Sequence, residues 1–351
     1  MSGIYIHIPF CSSFCIYCDF YSVTECNKKG EYLKALKKEI LRRKDELKES
    51  PQTLYIGGGT PSLLSAKELV DLSSTLREAF FDRPPAEFTV EVNPDDITPQ
   101  FADAMKEAQV TRVSMGVQSF NDDSLKWMRR RHTCAGAKKG FQTLRENGFD
   151  NISLDLIFGY RHDTASDKEL LARWKKDLEE IVSLLPEHIS SYQMSIEPGS
   201  LLAQSGKYQE PSQEICEEEY KMLQNILEES GYEQYEISNF ALPGYRSKHN
   251  SSYWERVPYL GLGAAAHSFN GENRSWNPED IHQYILNADK GWGEEYSETL
   301  TESEVLEERI MLGLRKTEGI ELNESEFNKL YNKCSSLREK GLLNIESRRI
   351  S

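Results

Sequence analysis

The sequence predicts an α/β fold: a partial (β/α)6 barrel over residues 1–200, followed by a smaller α+β, partly helical C-terminal region over 201–351. Three observations carry this. Six short β-rich runs alternate with helical stretches of 10–20 residues, the pattern of parallel βα units. Residues of unusual chemistry recur at the carboxyl ends of those runs, where parallel α/β folds collect functional groups. The alternation then breaks after Glu197-Pro198-Gly199, so the boundary falls near 198–210. Six units, not eight, imply a barrel that stays open.

The elements follow in order. Ile4–Ile8 reads as the first strand, the next residues as a cysteine loop, and the stretch near Glu31–Glu49 as a helix with a solvated, charge-alternating face. Thr53–Ile56 is the second strand, ending in Gly57-Gly58-Gly59-Thr60-Pro61, with a helix over Ala66–Phe80. Glu87–Val92 is the third, ended by Asn93-Pro94-Asp95, with a helix near Pro99–Ala108. Arg112–Val117 is the fourth, followed by helices near Asp122–Met128 and Ala135–Asn147. Ile152–Phe158 is the fifth, Asp167–Leu185 is helical, and His188–Met194 is the sixth. Beyond the boundary come a helix (Glu214–Ser230), a short strand (Glu233–Ile237), Gly-rich turns around Leu260–Ala265, and two or three helices from Thr301 to Lys340. No internal repeat or low-complexity segment is present.

The chain has 351 residues, enough for a substantial core, and 38% hydrophobic with 28% charged residues is an ordinary soluble composition. A formal net charge of −15 argues against nucleic acid as a partner. No apolar run approaches the roughly 18 residues of a membrane span, so the protein is not expected to be integral to a membrane. Met1-Ser2-Gly3 opens no signal peptide, and a cytoplasmic location is expected.

The densest chemistry is Cys11-Ser-Ser-Phe-Cys15-Ile-Tyr-Cys18, three thiols within eight residues. In a reducing compartment such spacing reads as a metal site, not as disulfides. A [4Fe–4S] cluster normally takes four thiolates, so three leave one iron open to a small ligand, as catalytic metal sites require. Cys134, Cys216 and Cys334 read as ordinary thiols; Cys26, eight residues beyond Cys18, is an alternative fourth ligand. The three glycines at 57–59 let backbone N–H groups approach a ligand, or simply make a tight strand-to-helix turn. Glu91, Gln118 and Asp155 close or interrupt apolar strands, which costs several kcal/mol unless each is paired or faces a polar cavity. Arg129-Arg130-Arg131-His132 is a solvated basic patch or a carboxylate grip. His7 reads as a packed group.

Together these residues resemble the radical S-adenosylmethionine superfamily, and more sharply its anaerobic coproporphyrinogen oxidase-like group. The resemblance runs through Tyr5-Ile-His-Ile-Pro-Phe-Cys11, Tyr17-Cys18, Gly57-Gly-Gly-Thr-Pro61, Glu91-Val-Asn-Pro94, Arg112-Val-Ser-Met-Gly-Val-Gln-Ser-Phe120 and Ser153-Leu-Asp-Leu-Ile-Phe-Gly159, nearly the whole chain. It implies that Cys11, Cys15 and Cys18 hold a [4Fe–4S] cluster and that S-adenosylmethionine binds the open iron. Tyr5, Tyr17, Gly58, Gly59, Thr60, Glu91, Gln118, Arg130 and Asp155 match positions that surround that cofactor. An electron donor would then reduce the cluster and a 5′-deoxyadenosyl radical would form.

Three features point to the haem-chaperone branch of the group. The cluster motif begins almost at the start of the chain, Asp19-Phe20 stands where the oxidases carry a further cysteine, and His249-Asn250-Ser-Ser-Tyr253-Trp254 resembles the chaperones' H-N-x-x-Y-W motif. His249 is thereby the expected axial haem ligand, with Tyr253 and Trp254 offering flat surface to the macrocycle; a packed aromatic turn is the plainer alternative. The implied partners are apo-haemoproteins, with membrane-bound respiratory proteins following by analogy; a homodimer stays open. The alternative function is oxidative decarboxylation of coproporphyrinogen III, and a third is a zinc-binding structural protein using the same cysteines. Departures from the group are Tyr160-Arg161-His162 where Pro-Gly-Gln is usual, Ala265 where glycine is common, and an early end near Leu342–Ser351.

Overall fold

The computed structural model describes residues 2–206, 208–293, 296–331, 334–346 and 348–351. The first half is a run of βα units: β1 (Gly3–Ile8), α1 (Lys29–Arg43), β2 (Thr53–Gly58), α2 (Ala66–Phe80), β3 (Glu87–Val92), α3 (Pro99–Glu107), β4 (Arg112–Gln118), α4 (Asp122–Trp127), α5 (Cys134–Glu146), β5 (Ile152–Phe158), α6 (Asp167–Leu184) and β6 (His188–Gln193). Each of these strands lies parallel to the next.

After them come α7 (Leu201–Ser205), α8 (Gln213–Glu229), β7 (Glu233–Gln234), β8 (Asn239–Ala241), α9 (Lys248–Trp254), β9 (Tyr259–Leu262), β10 (His267–Phe269), β11 (Asn273–Trp276), α10 (Ile281–Asn287) and β12 (Ser297–Thr299). The chain ends with α11 (Glu302–Gly313), β13 (Ile320–Glu321), α12 (Glu324–Tyr331), α13 (Ser335–Glu339), β14 (Ile345–Glu346) and β15 (Arg349–Ile350).

The six parallel strands pair in sequence order, and the sheet does not close: its strand order is β12-β11-β10-β9-β1-β2-β3-β4-β5-β6-β8-β7. The open (β/α)6 barrel is therefore as the sequence predicts. The strands are apolar because both faces are covered; Ile4, Ile6 and Ile8 of β1 pack in one core with Leu36, Ile40, Leu54, Leu69 and Val90. Helix starts are written locally. Ser65 with Glu68 and Thr301 with Glu304 form capping boxes, and Thr98 caps α3 with Pro99 in its first turn. No helix among the described residues is long and apolar enough to cross a membrane.

Three local expectations are corrected. The helix expected to reach Glu49 ends at Arg43, whose guanidinium is captured by Glu39, Glu46, the Gly261 carbonyl and Ser268. The strand expected over 233–237 shortens to two residues. The stretch read as Gly-rich turns around Leu260–Ala265 begins within β9, which lies parallel to β1, and turns only from Gly263 onward. Gly261 misled because it serves a close approach: a Cβ there would sit 2.0 Å from the His267 carbonyl oxygen.

Glu39 joins the barrel to the later segment. Fully buried on α1, it accepts from Gly263 N at 2.9 Å, Asn277 Nδ2 at 2.8 Å, Tyr284 Oη at 2.7 Å and Arg43 Nη1 at 3.1 Å. Removing it strands buried donors and one side of an ion pair. Glu39→Ala is expected to lose about 3–5 kcal/mol of stability, read from the urea-denaturation midpoint.

Candidate functional site

Burial along the strands marks the site. β1 is buried except at Tyr5, β2 except at Gly58, β3 except at Glu91, β4 except at Gly116 and Gln118, and β5 except at Asp155. On β6 the break falls at Tyr192 and Gln193. Tyr17, Gly59, Thr60 and Arg130 are likewise half-buried. The nine residues expected around S-adenosylmethionine are thus all half-buried, and Gly116, Tyr192 and Gln193 break the closed packing of the strands beside them.

The cysteine loop leaves β1 and returns through Cys11 N to the Val23 carbonyl and Val23 N to the Pro9 carbonyl. The glycine run lets it lie directly on β2. A Cβ on Gly59 would stand 2.8 Å from the Phe10 carbonyl oxygen and 3.0 Å from Cys11 Sγ, and one on Gly58 2.7 Å from the His7 ring. Gly58 also has φ +112°, a region open to glycine. Thr60 Oγ1 donates to Cys11 Sγ at 3.5 Å. His7 is packed, accepting from Tyr5 Oη at 3.0 Å and donating to the Tyr21 carbonyl at 2.8 Å; burial pushes its pKa down to about 4.

Burial raises the Cys11 thiol and pushes Cys18 up to about 11. Without a cation these thiols stay protonated at neutral pH, so iron binding must release protons. Among the described residues, no three His, Cys, Asp or Glu side chains gather closely enough for a single metal ion; a four-iron cube spreads its thiolates wider than one ion does. Cys26 is exposed, its thiol donating to the Cys11 carbonyl at 3.7 Å.

Behind the loop, Glu91 accepts from Tyr55 Oη at 2.7 Å and Gly58 N at 3.0 Å. Burial pushes its carboxyl up to about 7; those two hydrogen bonds oppose the shift and the Asp155 charge adds to it. Asp155, beside Ser114 and Ser153, is also raised by burial, with Arg112 opposing. Two carboxylates in one enclosed space suit a ligand that brings positive charge or donors.

The basic run after α4 divides by function. Arg131 pairs with Asp96 at 2.9 Å, and His132 is buried, donating to the Val117 carbonyl. Arg130 turns inward, giving Nη1 to Cys15 Sγ at 3.5 Å and Nη2 to the Gly116 carbonyl at 2.6 Å, while its buried Nε has no protein partner. Burial lowers its pKa, but Tyr17 and Cys15 outweigh that and hold it above the usual range. Gln118 has φ +69° at the β4 irregularity, which folds its amide back over Gly116. A glycine-built cradle, an orphaned guanidinium nitrogen and a ring of half-buried polar groups fit a cluster with a second ligand beside it.

His249 lies elsewhere. It stands at the amino ends of the strands, beside Gly3 and Thr53, away from the cysteine loop. Glu87 fixes it by accepting from Lys248 N at 2.8 Å and His249 N at 2.9 Å. The ring is 1% exposed, stacks on Tyr55 at 5.0 Å, and has both nitrogens engaged: Nδ1 with Thr53 Oγ1 at 2.8 Å and Nε2 with Tyr253 Oη at 2.9 Å. Burial pushes its pKa down to about 3. Held so, its one lone pair is engaged by a neighbouring hydroxyl, and the axial role expected of it would require exchanging that hydrogen bond for iron and uncovering the ring. The H-N-x-x-Y-W stretch is the barrel floor: Tyr253 meets Tyr259 edge-on at 4.7 Å, and Arg315 lies over Trp254.

Sequence reasoning passed over Tyr55, which bridges Glu91 and His249, and Arg112, fully buried with Nε and Nη1 unpartnered. The only signal was an arginine opening an otherwise apolar strand.

The Radical SAM superfamily model matches residues 5–174, and the HemN C-terminal domain model matches 300–351. The solved structure of coproporphyrinogen III oxidase (HemN) from Escherichia coli, described as a radical SAM enzyme, superposes with TM-score 0.85 at 23% identity, covering 100% of this chain and 86% of that one. The heme chaperone HemW of Bacillus subtilis (strain 168) is 38% identical, covering 99% of this chain and 94% of that protein. HemW of Lactococcus lactis subsp. lactis is 35% identical over 94% and 87%. The chain belongs to the radical SAM superfamily and, within it, to the family of the heme chaperone HemW.

Two outcomes follow from the geometry. Gly59→Ala must push the cysteine loop off β2: anaerobic reconstitution is expected to give several-fold less iron per chain, at a stability cost of about 1–3 kcal/mol. The second concerns pH. Between about 4.5 and 7 an unfolded chain releases the Glu91 proton while the folded protein keeps it. Apoprotein stability from this carboxyl is therefore present below that window and lost as pH rises through it. Glu91→Gln is expected to flatten that part of the stability–pH profile, measured by chemical denaturation.

Proposed function

We propose that this protein is a haem chaperone built on a radical S-adenosylmethionine scaffold. It would hold a [4Fe–4S] cluster and S-adenosylmethionine as resident cofactors, take haem as cargo and pass it to apo-haemoproteins, with an electron donor serving the cluster. The observation that carries the reading is the near-full-length similarity to heme chaperones, 38% identity over 99% of the chain, together with the cysteine loop at the open barrel mouth.

Cys11, Cys15 and Cys18 would hold the cluster on the loop that Gly59 supports. When bound, the cluster supplies an open iron and a single electron. The protein's own residues bind and orient. Glu91 and Asp155 present carboxyl oxygens, Gln118 presents an amide, and Gly58 and Gly59 let the backbone close in. Arg130 couples the Cys15 thiol to the β4 backbone. Tyr5, Tyr17 and Thr60 complete the enclosure and exclude water. The floor formed by α9 shuts the other end of the barrel, so exchange runs through the cysteine-loop mouth.

The test pairs two assays on anaerobically reconstituted, haem-loaded protein. One follows transfer to an apo-cytochrome by its Soret band; the other follows decarboxylation of coproporphyrinogen III with a reductant. The expected result is haem transfer without decarboxylation above a Cys15→Ala control. Turnover without transfer would make the protein an oxidase instead.

A further inference from the structure

Beside the cysteine loop lies a cleft of about 510 Å3 that the cluster site does not use, within the range of about 300–1,000 Å3 usual for cofactor sites. Its lining includes Ile16, Trp127, Arg129, His162, Leu202 and Tyr208. Ile16 sits between two of the loop's site residues, Cys15 and Tyr17, and backbone bonds tie it to both walls: Ile16 N donates to the Met128 carbonyl at 3.3 Å and Leu202 N to the Ile16 carbonyl at 2.8 Å.

The walls are flat and aromatic. Trp127 stacks on Tyr160 at 5.7 Å with 13° between planes, Tyr208 lies 5.5 Å from Trp127, and His162 lies 6.0 Å from it. Two arginines, Arg129 and Arg161, stand at the rim with Asp163 in the same lining, in a chain of net charge −15. Arg129 is exposed at φ +59°, and Arg161 lines the same cleft, its Nη2 on Asp167 at 2.5 Å. Three of these groups, Tyr160, Arg161 and His162, are the stretch where the chain departs from the Pro-Gly-Gln of its group. Two anchors hold that stretch: Gly159 N donates to buried Glu219 at 2.8 Å and Arg161 N to Tyr208 Oη at 3.2 Å.

We propose that this cleft is the haem site: the macrocycle lies against Trp127 and Tyr208, its carboxylates meet Arg129 and Arg161, and His162 is the axial ligand. The assignment rests on the haem-chaperone reading and gives it a place. Flat apolar faces, guanidinium groups at the edge and one imidazole are the features that an iron tetrapyrrole with carboxylate side chains requires. His162 Nδ1 stands 3.6 Å from Asp163 Oδ2, outside direct hydrogen-bond reach but close enough for the carboxylate charge to act on the ring. Its Nε2 faces Arg173 Nη1 at 3.2 Å. Ligation transfers that lone pair from the arginine to iron, with no proton or electron lost; Arg173 keeps Asp163 through contacts at 3.2 and 2.6 Å.

Anaerobic haem titration of the cluster-loaded protein tests this, with cluster absorbance and melting temperature reporting the fold of each variant. Trp127→Ala and Arg129→Ala are expected to weaken haem binding at least tenfold. His162→Ala is expected to shift the Soret band, and added imidazole to restore it. Iron-free protoporphyrin IX should feel the first two variants and not the third. Arg129 is exposed, so that variant keeps the test open even where Trp127→Ala fails to fold. Parent-like titrations and spectra for all three variants would overturn the assignment. So would loss of haem in His249→Ala with the cleft variants intact. A parent that takes up no haem at all would overturn the chaperone reading, and this assignment with it.

Discussion

The close approach of the cysteine loop to Gly57–Gly59 is the constraint on which the site depends. Gly59 lies against the backbone of Pro9 and Phe10 and against Cys11 Sγ, Gly58 lies against the His7 ring, and Gly58 N donates to Glu91. Three successive strands are therefore locked in depth at the barrel mouth by the absence of two side chains. A Cβ on Gly59 would need displacement of the Pro9–Phe10 backbone and so would move the Cys11 thiol itself, and one on Gly58 would displace the buried His7 ring. Loop and cradle act as one unit.

The barrel has two different ends. At the mouth, half-buried residues from five strands and the cysteine loop gather at the carboxyl ends of the strands. At the floor, Glu87 holds the start of α9, and His249 fills the gap between Thr53, Tyr55 and Tyr253. Buried carboxylates serve both purposes. Glu39 and Glu87 accept enough hydrogen bonds to act as joints between the barrel and the later segment. Glu91 and Asp155 instead carry raised pKa values, with burial as the main cause and each partly opposed by hydrogen bonds and by Arg112.

Much of the fold was legible because it is written locally. Alternating periods, helix caps and strand-end glycines define the six βα units within short windows, and the three cysteines declare themselves by spacing. What escaped sequence reading depends on residues far apart in the chain. β9 pairs with β1 across about 250 positions, and its Gly261, placed for close packing, looks like a turn signal. His249 carries ligand chemistry in sequence, yet Thr53 and Tyr253 occupy both nitrogens, which only tertiary structure reveals. The reverse holds for His162, marked in the sequence only as part of a departing turn, which the fold brings against Trp127.

The central claim is that three thiolates hold a cluster whose fourth iron faces the ring of half-buried polar groups. Electron paramagnetic resonance of the reduced, anaerobically reconstituted protein, before and after adding S-adenosylmethionine, tests it most directly. The account predicts a [4Fe–4S] signal that changes on addition and is absent from Cys15→Ala. A signal unaffected by S-adenosylmethionine, or one that survives loss of Cys15, would contradict it.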